Sequence, residues 1–231
     1  DIVTCVSQSL KQDTLDQFKI YKDIEVVPNF IDISKYKRQQ KLCFTENPNL
    51  NEELIITHVS NFRPVKNIKN VIQIFYNIQE KMSSKLMMIG EGPEKEMAEN
   101  LCKELSIENK VHFLGNSNQV EKNLCHSDLF LLPSNTESFG LAALEAMASK
   151  VPVVSSNAGG LPEINIHGET GYLTDSNDIE SMSNYAISIL ENPKVLEEFK
   201  IRAFNKAESF DINKVVPIYE KIYSKALKLL K

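Results

Sequence analysis

The residues best suited to chemistry lie in residues 133–148, where a short apolar run ends and a helical pattern begins. Free N–H groups and the positive dipole at the start of a helix bind anions such as a diphosphate. A glycine at position 140 would let a ligand approach the backbone closely. The stretch predicts a phosphate-binding turn, although geometry alone equally allows an ordinary strand-to-helix turn. The residues concerned are Ser138, Phe139, Gly140 and Leu141.

Glu145 lies in the helix that follows this turn, among residues that are otherwise apolar. We expect its carboxylate to be buried, and a buried carboxylate needs hydrogen-bond partners. It stands roughly 8 Å along the helix axis from the N-terminus, given the rise per residue of an α-helix. That offset matches the distance between a diphosphate and a ribose, so we predict a ribose contact. The alternative is a pairing with a buried lysine or arginine of the same domain.

Two cations form a second candidate group. Arg63 and Lys66 follow the apolar run at residues 54–59 and precede a helical pattern. Cations at the carboxyl end of a strand can clamp a leaving phosphate. The alternative is that both side chains are solvated in a loop.

Two glycine loops also follow strand-like runs. Gly90 and Gly92 come just before Pro93, a residue suited to the first turn of a helix. The pair Gly159 and Gly160 repeats the arrangement. We predict that Gly90 and Gly92 contribute to the same binding site.

Composition excludes several classes of function. The net charge of −5 provides no broad positive field for nucleic acid or an anionic membrane. No apolar stretch approaches the roughly 20 residues of a membrane span, and no signal segment starts the chain. We therefore expect a cytoplasmic protein. The chain starts without methionine inside a strand-like run, which we interpret as a cut.

Cysteine and histidine placement argues against a metal. The four histidines show neither i, i+4 spacing nor a carboxylate grouping, and we interpret them as structural or surface residues. The cysteines show no C-x-x-C pair, so we predict reduced thiols and neither a zinc site nor a redox motif. The cysteines are Cys5, Cys43, Cys102 and Cys125, and the histidines are His58, His112, His126 and His167.

The elements that must position these residues alternate between strand and helix. That alternation predicts an α/β fold with a Rossmann-like parallel sheet and flanking helices. Predicted strands span residues 2–6, 24–27, 54–59, 85–89, 110–114, 128–132, 151–155 and 172–174. Predicted helices span residues 8–18, 67–81, 93–105, 118–126, 178–191, 194–209 and 213–230.

Domain boundaries are predicted from composition. Residues 33–53 are dominated by polar side chains and keep no apolar period, so we interpret them as an interdomain linker. Residues 1–50 would then be this linker and the remnant of an acceptor domain, and 51–210 a ligand-binding domain. Residues 211–231 would form a helix crossing back to the first domain, with an apolar stripe that includes Val215, Ile222 and Leu229.

The motifs together resemble retaining glycosyltransferase family four, which has the GT-B fold. The E-x7-E spacing of ESFGLAALEAMA resembles its donor-site motif, and the resemblance covers nearly the whole chain. The other matching segments, in the family's order, are VTCVS, VVPNFID, SNFRPVK, MMIGEGPE, VHFLG, SDLFLLPS, PVVSSNAGGLPE and HGETGYL. One departure is that Ser60 and Asn61 stand where many members have Gly-Arg, which leaves the phosphate role of Arg63 open.

The resemblance implies a site that binds a UDP-sugar. Lys66 would contact the diphosphate, Glu137 would act at the sugar hydroxyls as the catalytic carboxylate, and Glu145 would bind the ribose. It implies no protein nucleophile. We expect no metal or other cofactor, because Lys66 and the helix dipole, with Arg63 if it contacts the phosphate, can balance the diphosphate charge, and no carboxylate cluster has metal spacing. The acceptor would be held by an N-terminal domain that these residues mostly lack, so we expect the chain to bind donor but transfer it poorly, with possible self-association.

A finer resemblance within the family implies N-acetylglucosamine as the sugar and a small hydroxyl acceptor such as L-malate. Two alternatives stay open. The first is a UDP-sugar transferase of polysaccharide synthesis. The second is a nucleotide-binding module without catalysis.

Overall fold

The computed structural model describes residues 2–20, 22–46 and 53–228. All its paired strands are parallel, in a two-stranded sheet (β1, β2) and a six-stranded sheet of order β5-β4-β3-β6-β7-β8. The predicted parallel sheet is therefore confirmed. The strands are β1 Val3–Cys5, β2 Ile24–Val26, β3 Leu54–Val59, β4 Ser84–Ile89, β5 Val111–Gly115, β6 Leu129–Leu132, β7 Val153–Ser156 and β8 Gly171–Thr174.

Helices cover both faces of the large sheet, as predicted from the alternating pattern. Short 3-10 turns at Pro64–Lys66 and Glu208–Phe210 supplement them. The helices are α1 Gln8–Gln17, α2 Ile33–Glu46, α3 Ile68–Gln79, α4 Lys95–Glu104, α5 Val120–Leu124, α6 Leu141–Ala148, α7 Leu161–Ile164, α8 Ile179–Leu190, α9 Pro193–Ala207 and α10 Ile212–Lys228.

Strand β6 shows how the core is divided between the two faces. Successive strand residues point to opposite sides of a sheet. Leu129 and Leu131 pack in the cluster on one face, whereas Phe130 and Leu132 pack in the cluster on the other. All four are buried, as expected for a parallel sheet covered by helices on both sides.

The strand order reverses direction beside β3, which pairs with β4 on one side and β6 on the other. Loops that leave β3 and β6 at their carboxyl ends therefore emerge side by side. In open α/β sheets such a switch point forms a crevice in which ligands bind. The backbone N–H of Asn135 donates to the carbonyl oxygen of Val65 at 2.8 Å, which joins the two loops.

The prediction that residues 33–53 keep no apolar period is wrong for the part that the structure describes. Residues 33–46 form α2, whose Ile33, Tyr36 and Cys43 are buried. A tyrosine and a cysteine supply part of this apolar face among many polar residues, so the sequence pattern does not reveal it. Residues 47–52 lie outside the described residues, and the division into domains stays a prediction.

Segment 2–32 and α10 pack together beside the large sheet. Val215 and Ile222 of α10 form a small buried cluster with Val27, and the Tyr219 hydroxyl donates to the Val27 carbonyl oxygen at 3.5 Å. Pro217 lies inside this helix, and Leu229 lies outside the described residues. No described helix combines the length and apolar character that crossing a membrane demands.

The prediction of reduced thiols is wrong for two cysteines. Cys43 and Cys125 form a disulfide, with their Cα atoms 6.4 Å apart. They are separated by 82 residues, and they meet because α2 packs against α5. Sequence spacing carries no signal for such a contact. Cys5 and Cys102 are free, as predicted.

Candidate functional site

An ion pair between Lys66 and Glu137 lies at the carboxyl ends of β3 and β6. The Lys66 Nζ and Glu137 Oε1 atoms are 2.5 Å apart, and both side chains are more than four-fifths buried. The Ser134 hydroxyl donates to the same carboxylate oxygen at 3.0 Å. The structure thus brings together two residues that are 71 positions apart and that the sequence placed at one site.

The start of α6 lies in the loop that carries Glu137. Its N-cap is Gly140, at φ +95°, and no side chain among the described residues caps the helix. The first-turn N–H groups of an α-helix have no partner inside the helix, so they are available to an anion. A side chain at Gly140 would be strained by its positive φ, and its Cβ would lie 2.6 Å from Leu161 Cδ2.

The side chains around this helix start differ in exposure. Ser138 and Leu141 are exposed, whereas Phe139 is buried and its ring packs edge-on against Phe210. Phe139 can therefore reach a ligand only through its backbone. The sequence treated all of these residues as donor contacts, and that assignment stays a prediction.

Gly90 and Gly92 have a packing role that the sequence did not reveal. A Cβ at Gly90 would lie 1.7 Å from the Ser60 carbonyl oxygen, and one at Gly92 would lie 2.0 Å from that of Asn61. Only glycine allows the loop after β4 to lie this close to the loop after β3. These two glycines thus support the loop that carries Lys66, and direct ligand contact by them stays a prediction.

Gly159 and Gly160 support the other loop in the same way. A Cβ at Gly159 would lie 1.8 Å from the Glu137 carbonyl oxygen. The Gly160 N–H donates to that same oxygen at 2.9 Å. The backbone at Glu137 and Ser138 therefore packs so closely on Gly159 and Gly160 that neither position has room for a side chain.

Glu145 is partnered by Tyr36 of α2, a residue that sequence analysis did not select. Burial raises the pKa of the Glu145 carboxyl, while the Tyr36 hydrogen bond and the nearby charge of Lys35 oppose that rise. Burial, followed by the Glu145 charge, raises the pKa of the Tyr36 phenol. The tyrosine therefore stays protonated at neutral pH, so its hydroxyl can donate to the carboxylate. No signal marked Tyr36 in advance, because the segment was interpreted as a linker.

Arg63 is not part of this arrangement. It is exposed at the start of the 3-10 turn Pro64–Lys66, and within the described part of the chain it has no ion-pair partner. The predicted phosphate role of Arg63 stays open.

His58 is a buried residue of β3 just before the Lys66 loop. Its Nδ1 lies 2.9 Å from the Leu131 carbonyl oxygen, and its Nε2 lies 2.7 Å from the Ser60 hydroxyl. Burial is the main cause that lowers the His58 pKa to about 4, so the ring is neutral at neutral pH. The prediction of a structural role is confirmed for this histidine, which links β3, β6 and the loop start.

Segment 2–32 contacts the site directly. Ser7, the N-cap of α1, donates its hydroxyl to the Ser138 carbonyl oxygen at 2.6 Å. The Glu163 carboxylate of α7 accepts the backbone N–H groups of Gln8 and Ser9, both at 3.0 Å. The first helix therefore begins against the turn that precedes α6.

Among the described residues, one group of histidine, cysteine and carboxylate side chains has metal-ligand spacing. It consists of Cys43, Cys125 and His126, whose ligand atoms lie within 4.8 Å of one another. The sequence did not predict this grouping, because Cys43 is brought next to His126 only by the packing of α2 against α5. The group lies apart from the Lys66–Glu137 pair in the chain, at the end of α5.

Two curated relatives align with most of this chain. The chain is 40% identical over 230 residues to N-acetyl-alpha-D-glucosaminyl L-malate synthase of Bacillus anthracis, covering 99% of this chain and 60% of that protein. It is 32% identical over 158 residues to 2-deoxystreptamine N-acetyl-D-glucosaminyltransferase of Niallia circulans, covering 65% of this chain and 41% of that protein. The chain thus spans less than two thirds of the length of either relative.

A solved structure agrees with the fold. The crystal structure of Anabaena HepE in complex with UDP and glucose superimposes with a TM-score of 0.85 at 22% identity, over 97% of this chain and 62% of that one. This likeness supports the GT-B assignment of the large sheet. The model of the family described as glycosyl transferases group 1 matches residues 40–206. The chain therefore belongs to the group 1 glycosyltransferases.

Proposed function

We propose that the chain binds a UDP-sugar in the crevice between the loops after β3 and β6, as the donor site of a retaining glycosyltransferase. The observation that carries the proposal is the Lys66–Glu137 pair beside the uncapped start of α6. A largely buried lysine and free helix N–H groups on adjoining loops form a binding site for a diphosphate.

Three residues predicted from the sequence, Lys66, Glu137 and Glu145, can orient the donor. The diphosphate contacts Lys66 and the start of α6, the ribose hydroxyls donate to Glu145, and Glu137 accepts from the sugar hydroxyls. Lys66 can exchange one charged partner for another, because a phosphate oxygen replaces the carboxylate that it contacts in the unliganded site. Glu137 is then free to accept from the sugar.

Transfer breaks the bond between the anomeric carbon and the diphosphate oxygen, so negative charge develops on the leaving group. Lys66 and the α6 dipole stabilise that charge in a site shielded from water. The leaving phosphate would take the proton of the acceptor hydroxyl on the same face of the sugar. We propose that no metal is required, because the lysine and the helix start together balance the diphosphate.

The sugar that we propose is N-acetylglucosamine, since both curated relatives carry that sugar in their names. The acceptor that we propose is L-malate, on the 40% identity to the Bacillus anthracis protein. Polysaccharide synthesis and nucleotide binding without catalysis remain the alternatives. The cytoplasmic location and the possible self-association stay predictions.

Calorimetry with UDP-N-acetylglucosamine tests the donor site. We expect Glu145→Ala to weaken binding by about tenfold, because the ribose hydroxyls lose a charged acceptor. The matched control is Glu53→Ala. It removes a carboxylate that pairs with Lys85 and Lys110 at the amino ends of the strands, opposite the proposed donor site. Equal affinity of the Glu145 variant and the unchanged protein would refute the ribose role. Binding that needs magnesium would refute the metal-free site.

Transfer is tested by UDP release from UDP-N-acetylglucosamine in the presence of L-malate, using both the 231-residue chain and the full-length gene product. We expect donor binding by both and turnover by the full-length protein. Alignment of acceptor and donor contributes several kcal/mol to such a reaction. Equal turnover by the two would show that the acceptor site lies within these residues. No turnover by either would favour the non-catalytic alternative.

A further inference from the structure

Helix α2 is joined to α5 at two points. Lys35, near its start, forms an ion pair with Glu121 at 3.1 Å. Near its other end, Cys43 is bonded to Cys125, the C-cap of α5. Tyr36 lies between these two attachments and packs in one buried cluster with Leu144 and Ala146, the α6 residues on either side of Glu145. Its phenol and the Glu145 carboxyl are near enough for each to shift the pKa of the other. The position of α2 therefore determines where the Tyr36 hydroxyl meets the Glu145 carboxylate.

We propose that Cys43 and Cys125 are a reversible thiol–disulfide site that fixes α2 and thereby sets the donor affinity through Tyr36 and Glu145. The disulfide itself is independent of the donor. Its effect on affinity rests on the proposed ribose role of Glu145.

The pair favours a disulfide over a metal. A closed structural zinc site needs four ligands, and the group that the structure describes here supplies three. The Cα separation of 6.4 Å falls within the range that a disulfide spans without backbone movement. The sulfurs are bonded to each other, which leaves neither of them as a thiolate ligand.

The two cysteines differ in access. Cys43 is buried, whereas Cys125 is partly exposed. His126 adjoins both sulfurs, and an imidazole at this position can accept the proton of an attacking thiol. Cys125 is therefore the thiol that an external disulfide reaches first, and Cys43 is the resolving thiol.

The oxidant in the proposal is a low-molecular-weight disulfide. The Cys125 thiolate attacks one sulfur of that disulfide, forming a mixed disulfide and releasing one small thiolate. The Cys43 thiolate then attacks the Cys125 sulfur and releases the second small thiolate. Two protein thiols lose two protons and two electrons, and one external disulfide becomes two thiols. A dithiol reverses the exchange.

In the predicted cytoplasmic location, a reversible disulfide would act as a redox sensor. Disulfides in reducing compartments are usually transient and act in catalysis or redox sensing, because cellular thiols keep most cysteines reduced. In a cytoplasmic protein, the Cys43–Cys125 bond would form when low-molecular-weight disulfides accumulate. Donor affinity would then rise, because α2 holds the Glu145 carboxylate in one orientation.

The first measurement counts thiols in the 231-residue chain by maleimide labelling in denaturant, which exposes the buried Cys43 and Cys102, followed by mass spectrometry. Samples are equilibrated in oxidised or reduced glutathione with a metal chelator present. We expect four labelled thiols in the reduced buffer and two in the oxidised one, with full reversal. The matched control is the double variant Cys5→Ser and Cys102→Ser, which keeps the change of two. In Cys125→Ser, no internal disulfide should form. Unchanged labelling in oxidised buffer, or zinc retained by the reduced chain with no disulfide formed, would overturn the proposal.

The second measurement compares the affinity for UDP-N-acetylglucosamine in the two buffers. We expect the oxidised protein to bind roughly three- to tenfold more tightly, in line with the net contribution of one ordinary hydrogen bond. Cys43→Ser should bind weakly in both buffers, and Tyr36→Phe should bind equally in both. Equal affinities of the unchanged protein in both buffers would refute the coupling. Binding in neither buffer would refute the proposed donor site, while the thiol count would still decide the disulfide.

Discussion

Two ion pairs of matched burial stand at opposite ends of the same sheet. Lys66 and Glu137 are 19% and 13% exposed at the carboxyl ends of β3 and β6. Lys200 and Asp128 are 23% and 14% exposed at the amino end of β6. The chemistry and the accessibility are nearly the same, so any difference in role must come from the surroundings.

The surroundings of the two carboxylates differ in what else they bind. Asp128 accepts the backbone N–H of Ile55 at 3.0 Å, and its own N–H donates to the Ile55 carbonyl oxygen at 2.7 Å. Its pair with Lys200 fastens α9 to the start of two strands. Glu137 instead joins two loops beside an uncapped helix start. One pair therefore completes the fold, whereas the other leaves polar groups for a ligand.

The largest expected effect is on donor binding by the lysines. We expect Lys66→Ala to weaken binding of UDP-N-acetylglucosamine by about 50-fold, because a charged hydrogen bond to phosphate is lost. Lys200→Ala should change the affinity by less than about twofold, since it removes an equally buried charge far from the donor. Titration calorimetry on both variants measures the difference. Comparable losses of affinity in the Lys66 and Lys200 variants would show that the two ends of the sheet do not differ in their role in donor binding.

The carboxylates should show the reverse order in stability. We expect Asp128→Ala to lower the free energy of unfolding by about 2 kcal/mol, since it leaves Ile55 N–H and Lys200 without their acceptor. Glu137→Ala should cost less than about 1 kcal/mol, because loss of the side chain opens the crevice and lets water hydrogen-bond Lys66 and Ser134 in its place. Urea unfolding of both variants provides the measurement. A larger loss for the Glu137 variant would mean that its pair is chiefly structural.

A smaller effect concerns the pH dependence of donor binding. Burial raises the pKa of Glu145, so its carboxylate is protonated at a higher pH than an ordinary glutamate. We expect affinity for UDP-N-acetylglucosamine to fall as the pH is lowered through that raised value, because a protonated carboxyl is a poorer acceptor for ribose. Tyr36→Phe removes a hydrogen bond that lowers the Glu145 pKa, so the fall should move to higher pH. Tyr223→Phe, on the exposed face of α10, is the control.

The same group affects stability with the opposite sign. A folded-state pKa raised above the unfolded value contributes stability below the unfolded pKa, and that contribution is lost as the pH rises through the folded value. Lowering the pH therefore increases the contribution of Glu145 to the free energy of unfolding, while it weakens binding of the donor. Parallel changes of stability and affinity with pH would rule out Glu145 as their common cause.

The smallest effect is expected at the exposed pair Lys225–Glu25, which links α10 to β2 at 2.5 Å. Lys225→Ala should lower the free energy of unfolding by less than about 1 kcal/mol, and added salt should reduce even that. Donor affinity should not change. Urea unfolding at low and high salt checks the prediction, and a salt-independent loss above that limit would contradict it.

Much of the fold and part of the site could be predicted before the structure. The eight strands and the parallel sheet follow from apolar runs that alternate with helical patterns, because burial on both faces imposes those patterns locally. Helix α2 was missed because its buried face uses Tyr36 and Cys43 among polar neighbours. Gly90 and Gly92 were recognised as special, yet their packing against the loop after β3 could not be read from one loop alone.

The sequence by itself determined the residue types and their local spacing. Glu137, Gly140 and Glu145 lie in one stretch, so a single turn and helix fix their relation. Only the tertiary structure decided which distant groups meet: Lys66 with Glu137, Tyr36 with Glu145, and Cys43 with Cys125. The reason is physical. Hydrophobic periodicity is a local property of the chain, whereas these contacts depend on β3 lying beside β6 and on α2 packing against α5 and α6, arrangements that only the packed core selects.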